Sequence, residues 1–213
     1  MSRPAGTKNQ DHSEKRLALL VSMTKYIECS NNDFPSLRQL SISAGVSDVT
    51  LRHYFNDRQG TVIALLKHIR ETTVPVRDAM RQPAASVEDA VNAYIALAGT
   101  MGENETFMRW HVFALREAIV DPVVHAAYRE HILEPSSEAF GECLSRSSGG
   151  HMGFPAARQA AAHIIFNAMF LAMQRLLSPP SPSRASMQQS LGEFSNWMLF
   201  GILEDPHGTG PSS

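Results

Sequence analysis

The stretch GVSDVTLRHYF, residues 45–55, decides how the N-terminal part of the chain is read. Gly45 supplies a backbone that turns through the left-handed region, which residues with a Cβ resist. Ser47 has the chemistry of a helix N-cap, because its hydroxyl can accept from an amide in the first turn. Leu51, Tyr54 and Phe55 follow at i, i+3 and i+4, which puts them on one side of a helix. With a step of about 100° per residue, Ser47, Tyr54 and Phe55 fall within about 60° of Leu51. Val49 and His53 fall almost opposite, and Thr50 and Arg52 flank them. The helix thus has a seating face and an outward face of unusual composition.

The residues before and after complete the pattern. Ser36 opens a short helix, with Gln39 three residues on as the second half of a capping box. Leu37, Leu40 and Ala44 give that helix its inner side, and Gly45 ends it. Two short amphipathic helices joined by Ala44-Gly45-Val46-Ser47 read as a helix-turn-helix. A first helix is expected over about 13–30, with Leu17, Leu20, Val21, Thr24 and Ile27 on one face and the run 31–33 ending it. Asp57 is placed to cap a fourth helix over 58–80, with Val62, Leu65, Leu66 and Ile69 inward and Pro75 as a kink. The outward side of the third helix has two readings. It is a solvated helix face, or it is a reading face: a valine for a thymine methyl, arginine and histidine for base edges or phosphate, and hydroxyls for phosphate.

Charge bears on that choice. Residues 1–70 carry a net charge of +4 and residues 71–213 carry −6. All four lysines, Lys8, Lys15, Lys25 and Lys67, lie in the first part. A basic head on an acidic body suits an anionic partner such as nucleic acid. The 213-residue chain is 43% hydrophobic, which provides for a sizeable core. Cys29 and Cys143 stand far apart and outside any metal or redox spacing, so two buried thiols in a reducing cytoplasm are expected. The polar N-terminus has no apolar signal core, and the richest apolar segment, 156–177, is broken by Arg158, His163, Asn167, Gln174 and Arg175. A cytoplasmic protein with no membrane span is expected.

Beyond Pro83 the periodicity stays helical. Ser86 with Asp89 caps a helix to about Met101, another follows over 105–119, and Asp121-Pro122 is a cap followed by proline at the first helical position. Helix is expected to about Ile132, a bend at Pro135, and helix again to Leu144. Residues 145–153 read as a loop, 155–177 as a long apolar helix, 178–186 as a proline-rich connection, and Ser186 as the cap of a last helix to about Leu203. No period-two alternation appears, so the fold class is all-α.

At this point segment 34–66, FPSLRQLSISAGVSDVTLRHYFNDRQGTVIALL, resembles the DNA-binding domain of the tetracycline-repressor (TetR/AcrR) family. The resemblance rests on Ser36, Arg38, Leu40, Ala44-Gly45-Val46-Ser47, Thr50-Leu51, Tyr54-Phe55 and Arg58. It covers about 50 residues once the first helix is included, and the rest is similar in helical architecture only. It implies an N-terminal three-helix DNA-binding domain over 12–70 and a helical regulatory and dimerisation domain over 71–205. Tails over 1–11 and 206–213 are expected to be flexible. It implies DNA contacts from Ser36, Arg38, Ser47, Val49, Thr50, Arg52, His53 and Tyr54, and a phosphate contact from Arg58 at the positive end of the fourth helix. Three departures stand out: Arg52 where the family usually has tyrosine, Val49 where a smaller residue or proline is common, and Gln59-Gly60-Thr61 in place of an acidic start.

The family also implies a homodimer on a palindromic double-stranded operator, most often repressing, and a small-molecule effector in the C-terminal domain. The apolar helix 155–177 and the last helix supply interface candidates: Ile164, Ala168, Leu171, Phe194, Trp197 and Met198. An aromatic and methionine set suits an apolar or aromatic effector: Tyr94, Phe107, Trp110, His111, Phe113, His163, Phe166, Asn167, Phe170 and Met173. Ordinary core is the competing reading of both sets. No cofactor and no metal site are expected. A helical-bundle metalloenzyme is the rival class, but the chain has no Glu-x-x-His, no His-Glu-x-x-His and no phosphate-gripping loop. The alternative within the DNA-binding class is a regulator without a small ligand.

Overall fold

The computed structural model describes residues 5–30, 35–177 and 186–200, with side chains from 11 to 30, 35 to 176 and 186 to 196. Every element among them is helical. In order these are α1 (Ala5–Cys29), α2 (Leu37–Ser43), α3 (Asp48–Phe55), α4 (Arg58–Thr72), α5 (Val74–Met80), α6 (Val87–Gly102), α7 (Glu105–Val120) and α8 (Pro122–Tyr128). A π-helical turn (Arg129–Leu133), α9 (Glu134–Ser147), α10 (Phe154–Leu177) and α11 (Met187–Phe200) complete the chain. The tail expected over 1–11 is helical from Ala5 on. The tail over 206–213 and most of the proline-rich connection lie outside the described residues.

The chain packs as two compact units that do not follow a linear division at residue 70. One comprises the described residues of Met1–Arg77 and Glu105–Pro135, the other those of Asp78–Asn104 and Ser136–Ser213. In the first unit α1, α2, α3 and α4 form the head, α7 packs along α1, and α8 with the π turn packs on α4. Its core includes Leu20, Met23, Ile27, Leu40, Leu51, Phe55, Leu65, Leu66, Phe113 and Tyr128. Each such side chain contributes about 1.5–3 kcal/mol by leaving water. The face of α1 differs from expectation: Leu19 and Met23 are buried, while Leu17 and Val21 are half exposed.

The second unit is organised around α6, against which α10 and α11 pack. Tyr94 stacks on Phe140 of α9, with ring centroids 4.5 Å apart and planes 19° apart. Gly141 of α9 lies so close to α10 that an added Cβ would stand 2.7 Å from the Arg158 Cα. Cys143 is buried and donates its thiol to the Gln82 carbonyl at 2.9 Å, but Cys29 is exposed, against the expectation of two buried thiols.

Two breaks have local causes. The expected kink at Pro75 is a division at Thr73, two residues earlier, which separates α4 from α5. That is where a proline without an N–H and with a ring clashing one turn back stops a helix. Pro135, expected as a bend, lies in the first turn of α9, immediately after the π turn. There Glu134 donates to the Arg129 carbonyl five residues back, which widens the turn before the proline ring.

Candidate nucleic-acid interface

The α2–α3 pair is fixed by its caps. Ser36 accepts from the Gln39 amide at 3.2 Å, and its own amide donates to Gln39 Oε1 at 2.8 Å, closing the expected capping box. Gly45 turns at φ +68°, in the region glycine prefers. Ser47 caps α3 by accepting from the Thr50 amide at 3.1 Å, and the two hydroxyls share a further bond of 2.9 Å. Ser41, buried in α2, donates to the Asp48 carboxylate, which fixes the first turn of α3 to α2.

This geometry sets the two faces of α3. Leu51 and Phe55 are buried, Tyr54 is half-buried, and Arg52 and His53 are exposed. Val49 is 78% exposed, the most exposed large apolar side chain among the described residues. Arg38 is exposed beside Ser36 at the start of α2. The structure thus brings Ser36, Arg38, Val49, Arg52 and His53 to the surface, with Thr50 and Tyr54 half-buried beside them.

Arg58 departs from the expected phosphate role. Its Nη2 and Nε donate to Glu117 of α7 at 2.6 and 3.1 Å, and its Nη1 donates to the Pro35 carbonyl at 2.9 Å. A guanidinium engaged by both oxygens of a carboxylate and by a backbone carbonyl ties α4 to α7 and to the entry of α2. Next to it, Gln59 donates to Asp121 at 2.8 Å. Asp121 in turn caps α8 through the Val123 and Val124 amides at 2.8 and 3.2 Å. These bonds, Gln59 first, hold the Asp121 carboxyl below its ordinary range. The first turn of α4 is therefore closely tied, and Gly60 shows why the sequence departs there. A Cβ on Gly60 would stand 2.0 Å from the Phe55 carbonyl oxygen, so only glycine lets α3 and α4 meet.

Sequence reasoning missed the contribution of α1. His12 lies against Tyr54, with centroids 4.7 Å apart, and near His53 at 6.1 Å. Arg16 sits over the Phe55 ring at 5.0 Å. No local pattern links position 12 to position 54; only the packing of α1 beside α3 does.

The effector and interface candidates divide between the units. In the first, Trp110, His111 and Phe113 of α7 are buried, and Phe107 meets His111 edge-on at 4.4 Å. Several buried polar atoms here have no hydrogen-bond partner in the protein: Thr24 Oγ1, Trp110 Nε1, His111 Nδ1, Tyr128 Oη and His131 Nδ1. His131 Nδ1 is 3.6 Å from Glu130 Oε1, beyond hydrogen-bond reach. Burial pushes His111 down to about 4, so its imidazole is neutral at ordinary pH. Burial also lowers His131, with Lys67 and Arg70 adding to the effect and Glu130 opposing it.

In the second unit Tyr94 is core, and burial raises its hydroxyl pKa. Along α10 the two candidate sets exchange places. Ile164 and Ala168, expected to meet a partner subunit, are 6% and 3% exposed and belong to the chain's own interior. Phe166 and Phe170, expected in a pocket, are 61% and 48% exposed, with His163 exposed beside them. Asn167, Leu171, Met173 and Phe194 are half-buried, and the side chains of Trp197 and Met198 lie outside the described residues. A helix apolar nearly all round offers no contrast from which its inner side can be read.

Among the described residues no group of three or more His, Cys, Asp or Glu could hold a metal ion, and no helix is long and apolar enough to cross a membrane. No family model matches the chain, and no curated protein matches it. Solved structures do. A TetR-family transcriptional regulator of Mesorhizobium loti MAFF303099 aligns over 87% of this chain and 93% of its own, at 14% identity and a TM-score of 0.60. The Thermus thermophilus FadR, a TetR-family transcriptional repressor in complex with lauroyl-CoA, aligns over 93% of this chain and 100% of its own, at 14% identity and a TM-score of 0.61. The chain has the fold of these regulators.

Proposed function

We propose that the protein is a ligand-responsive transcriptional regulator, repressing in its unliganded form, which binds a palindromic DNA operator as a homodimer. The observation that carries this reading is α3: capped by Ser47, seated by Leu51 and Phe55, and presenting Val49, Arg52 and His53 outward. Val49 suits a thymine methyl, and Arg52 suits guanine or phosphate. Ser36, Arg38, Thr50 and Tyr54 serve as backbone contacts that set the register. Arg58 is left out of this set, because three of its five N–H donors are engaged within the protein.

A homodimer is supported by the exposed Phe166 and Phe170 on α10, which make an apolar face a second copy would bury. A two-fold axis would set the two α3 helices about 34–36 Å apart, one helical turn of DNA. An effector held by α7 is supported by the buried Trp110 and His111, whose Nε1 and Nδ1 have no partner in the protein. They favour a molecule with an apolar body and at least one hydrogen-bonding group. Lauroyl-CoA, the ligand of the Thermus thermophilus repressor, has that character and is the first probe to use.

The test is selection of bound DNA from a random duplex library, followed by affinity measurements on the selected site. Arg52→Ala and His53→Ala are each expected to weaken binding about ten- to a hundredfold. Unchanged affinity and salt slope in both variants would sink the assignment of α3. Release of the bound DNA by lauroyl-CoA, or by a panel of apolar acids and thioesters, tests the effector half.

A further inference from the structure

We propose that His12, on α1, is a DNA-contacting residue that completes the reading face of α3 and makes operator affinity depend on pH. The inference rests on the DNA-binding reading above and adds to it a residue that the helix-turn-helix pattern does not contain.

The geometry is a cluster of three rings at the C-terminal end of α3. Tyr54 meets His12 at 4.7 Å with an interplanar angle of 33°, and meets His53 edge-on at 5.3 Å. His12 and His53 are themselves 6.1 Å apart and both are exposed. The three rings pack as a triangle, with Tyr54 in contact with both imidazoles. The imidazoles add N–H donors at the same edge of the surface that carries Arg52. Three donor-bearing rings grouped from two helices suit a backbone phosphate better than a base edge, because phosphate oxygens accept from many directions.

The charged groups around the cluster come from four helices. On α1 Asp11 and Lys15 pair with each other at 3.2 Å, Glu14 is exposed, and Arg16 lies over Phe55. On α3 Asp48 is held by Ser41, and Arg52 is exposed. Arg38 of α2 is exposed, and Arg58 of α4 is paired with Glu117. Internal pairing takes up Asp11 and Asp48, Asp57 accepts from the Gly60 amide, and Glu14 is the exposed carboxylate nearest His12 in sequence, so a phosphate brought to the cluster adds its charge to that of Glu14.

The sign follows from linkage. A phosphate beside an imidazole favours the charged form, so the complex takes up protons as it forms. Histidine ordinarily titrates between about pH 5 and 8, so affinity rises as pH falls through that range. A dimer carries two copies of each imidazole.

The experiment measures affinity for the selected duplex at about pH 6 and about pH 7.5, at two salt concentrations. Wild type, His12→Gln, His12→Phe, His12→Lys and His53→Gln are compared, with thermal melts as a check on folding. Wild type is expected to bind about tenfold tighter at the lower pH. His12→Gln and His12→Phe should lose about half of that dependence on a logarithmic scale, with a shallower salt slope, although the phenylalanine keeps the stack on Tyr54. His12→Lys should bind tightly at both pH values and lose the dependence. If His12→Gln keeps the wild-type affinity, pH dependence and salt slope, the inference is overturned while the DNA-binding reading stands. If wild type selects no DNA at either pH, both fall.

Discussion

The polar groups of the head and those of the helices behind it, within one compact unit, are treated in opposite ways. In the head nearly every hydroxyl, amide and carboxylate at a helix end has a close partner: Ser36 with Gln39, Ser41 with Asp48, Ser47 with Thr50, and Asp57 with the Gly60 amide at 2.8 Å. In α7, α8 and the π turn, Trp110, His111, Tyr128 and His131 bury polar atoms with no partner in the protein. An unsatisfied buried group costs about 1–3 kcal/mol, so several together are a substantial fraction of a typical folding free energy. The helix ends of the head are closed by their own bonds, with Thr24 Oγ1 of α1 as the exception, whereas the layer behind it buries several polar atoms that no group of the protein meets.

The largest effect that would sharpen this contrast is acid sensitivity. In the unfolded chain His111 takes its proton near the ordinary histidine value, whereas burial in the fold holds it down to about 4. Between those values the unfolded chain binds more protons, so stability is lost as pH falls through that window. The loss is about 3 kcal/mol at most for His111, and His68 and His131 are lowered in the same direction. Urea unfolding midpoints across that window should fall steeply for wild type and less so for His111→Phe. Equal falls in both would remove His111 from the argument.

The next effect belongs to the head. Gly60→Ala drives a methyl group into the Phe55 carbonyl and is expected to cost about 1–3 kcal/mol, read as a lowered melting temperature. A neutral result would mean that α3 and α4 are less tightly apposed than their geometry indicates. Tyr128→Phe probes the other side of the contrast. Removing an unpartnered hydroxyl should leave stability unchanged or raise it by about 1 kcal/mol, and a marked loss would reveal a partner for that group. Ser47→Ala has an effect of similar size and opposite sign, a loss of about 1 kcal/mol for the α3 cap. It is checked by thermal melts, with operator affinity falling alongside because α3 frays at its first turn.

What could be read from the sequence follows the same division. Caps are local chemistry, so Ser36, Ser47, Asp57, Ser86, Asp121 and Ser186 were legible from residues two to four positions apart, as were the two faces of α3. The partners of Arg58 and Gln59 were not, because Glu117 and Asp121 are about 60 residues away and no period connects them. His12 escaped for the same reason. The faces of α10 were illegible on other grounds: where Ile164 and Phe166 are equally apolar, only packing decides which is inside. The division into units was also hidden, because α7 and α8 pack with helices that precede them by a long stretch of chain.

The close approach at Gly60 has a mechanical meaning. Where α3 ends and α4 begins, main chain rests on main chain with no side chain between them. Side-chain layers absorb small displacements by changing rotamer; a backbone contact has no such slack. A rotation of α4 would therefore pass to α3 with little loss, and the Arg58–Glu117 pair is where α7 joins α4. In such a joint, sensitivity is set by the length of the arm, and a single methyl group at residue 60 would introduce play.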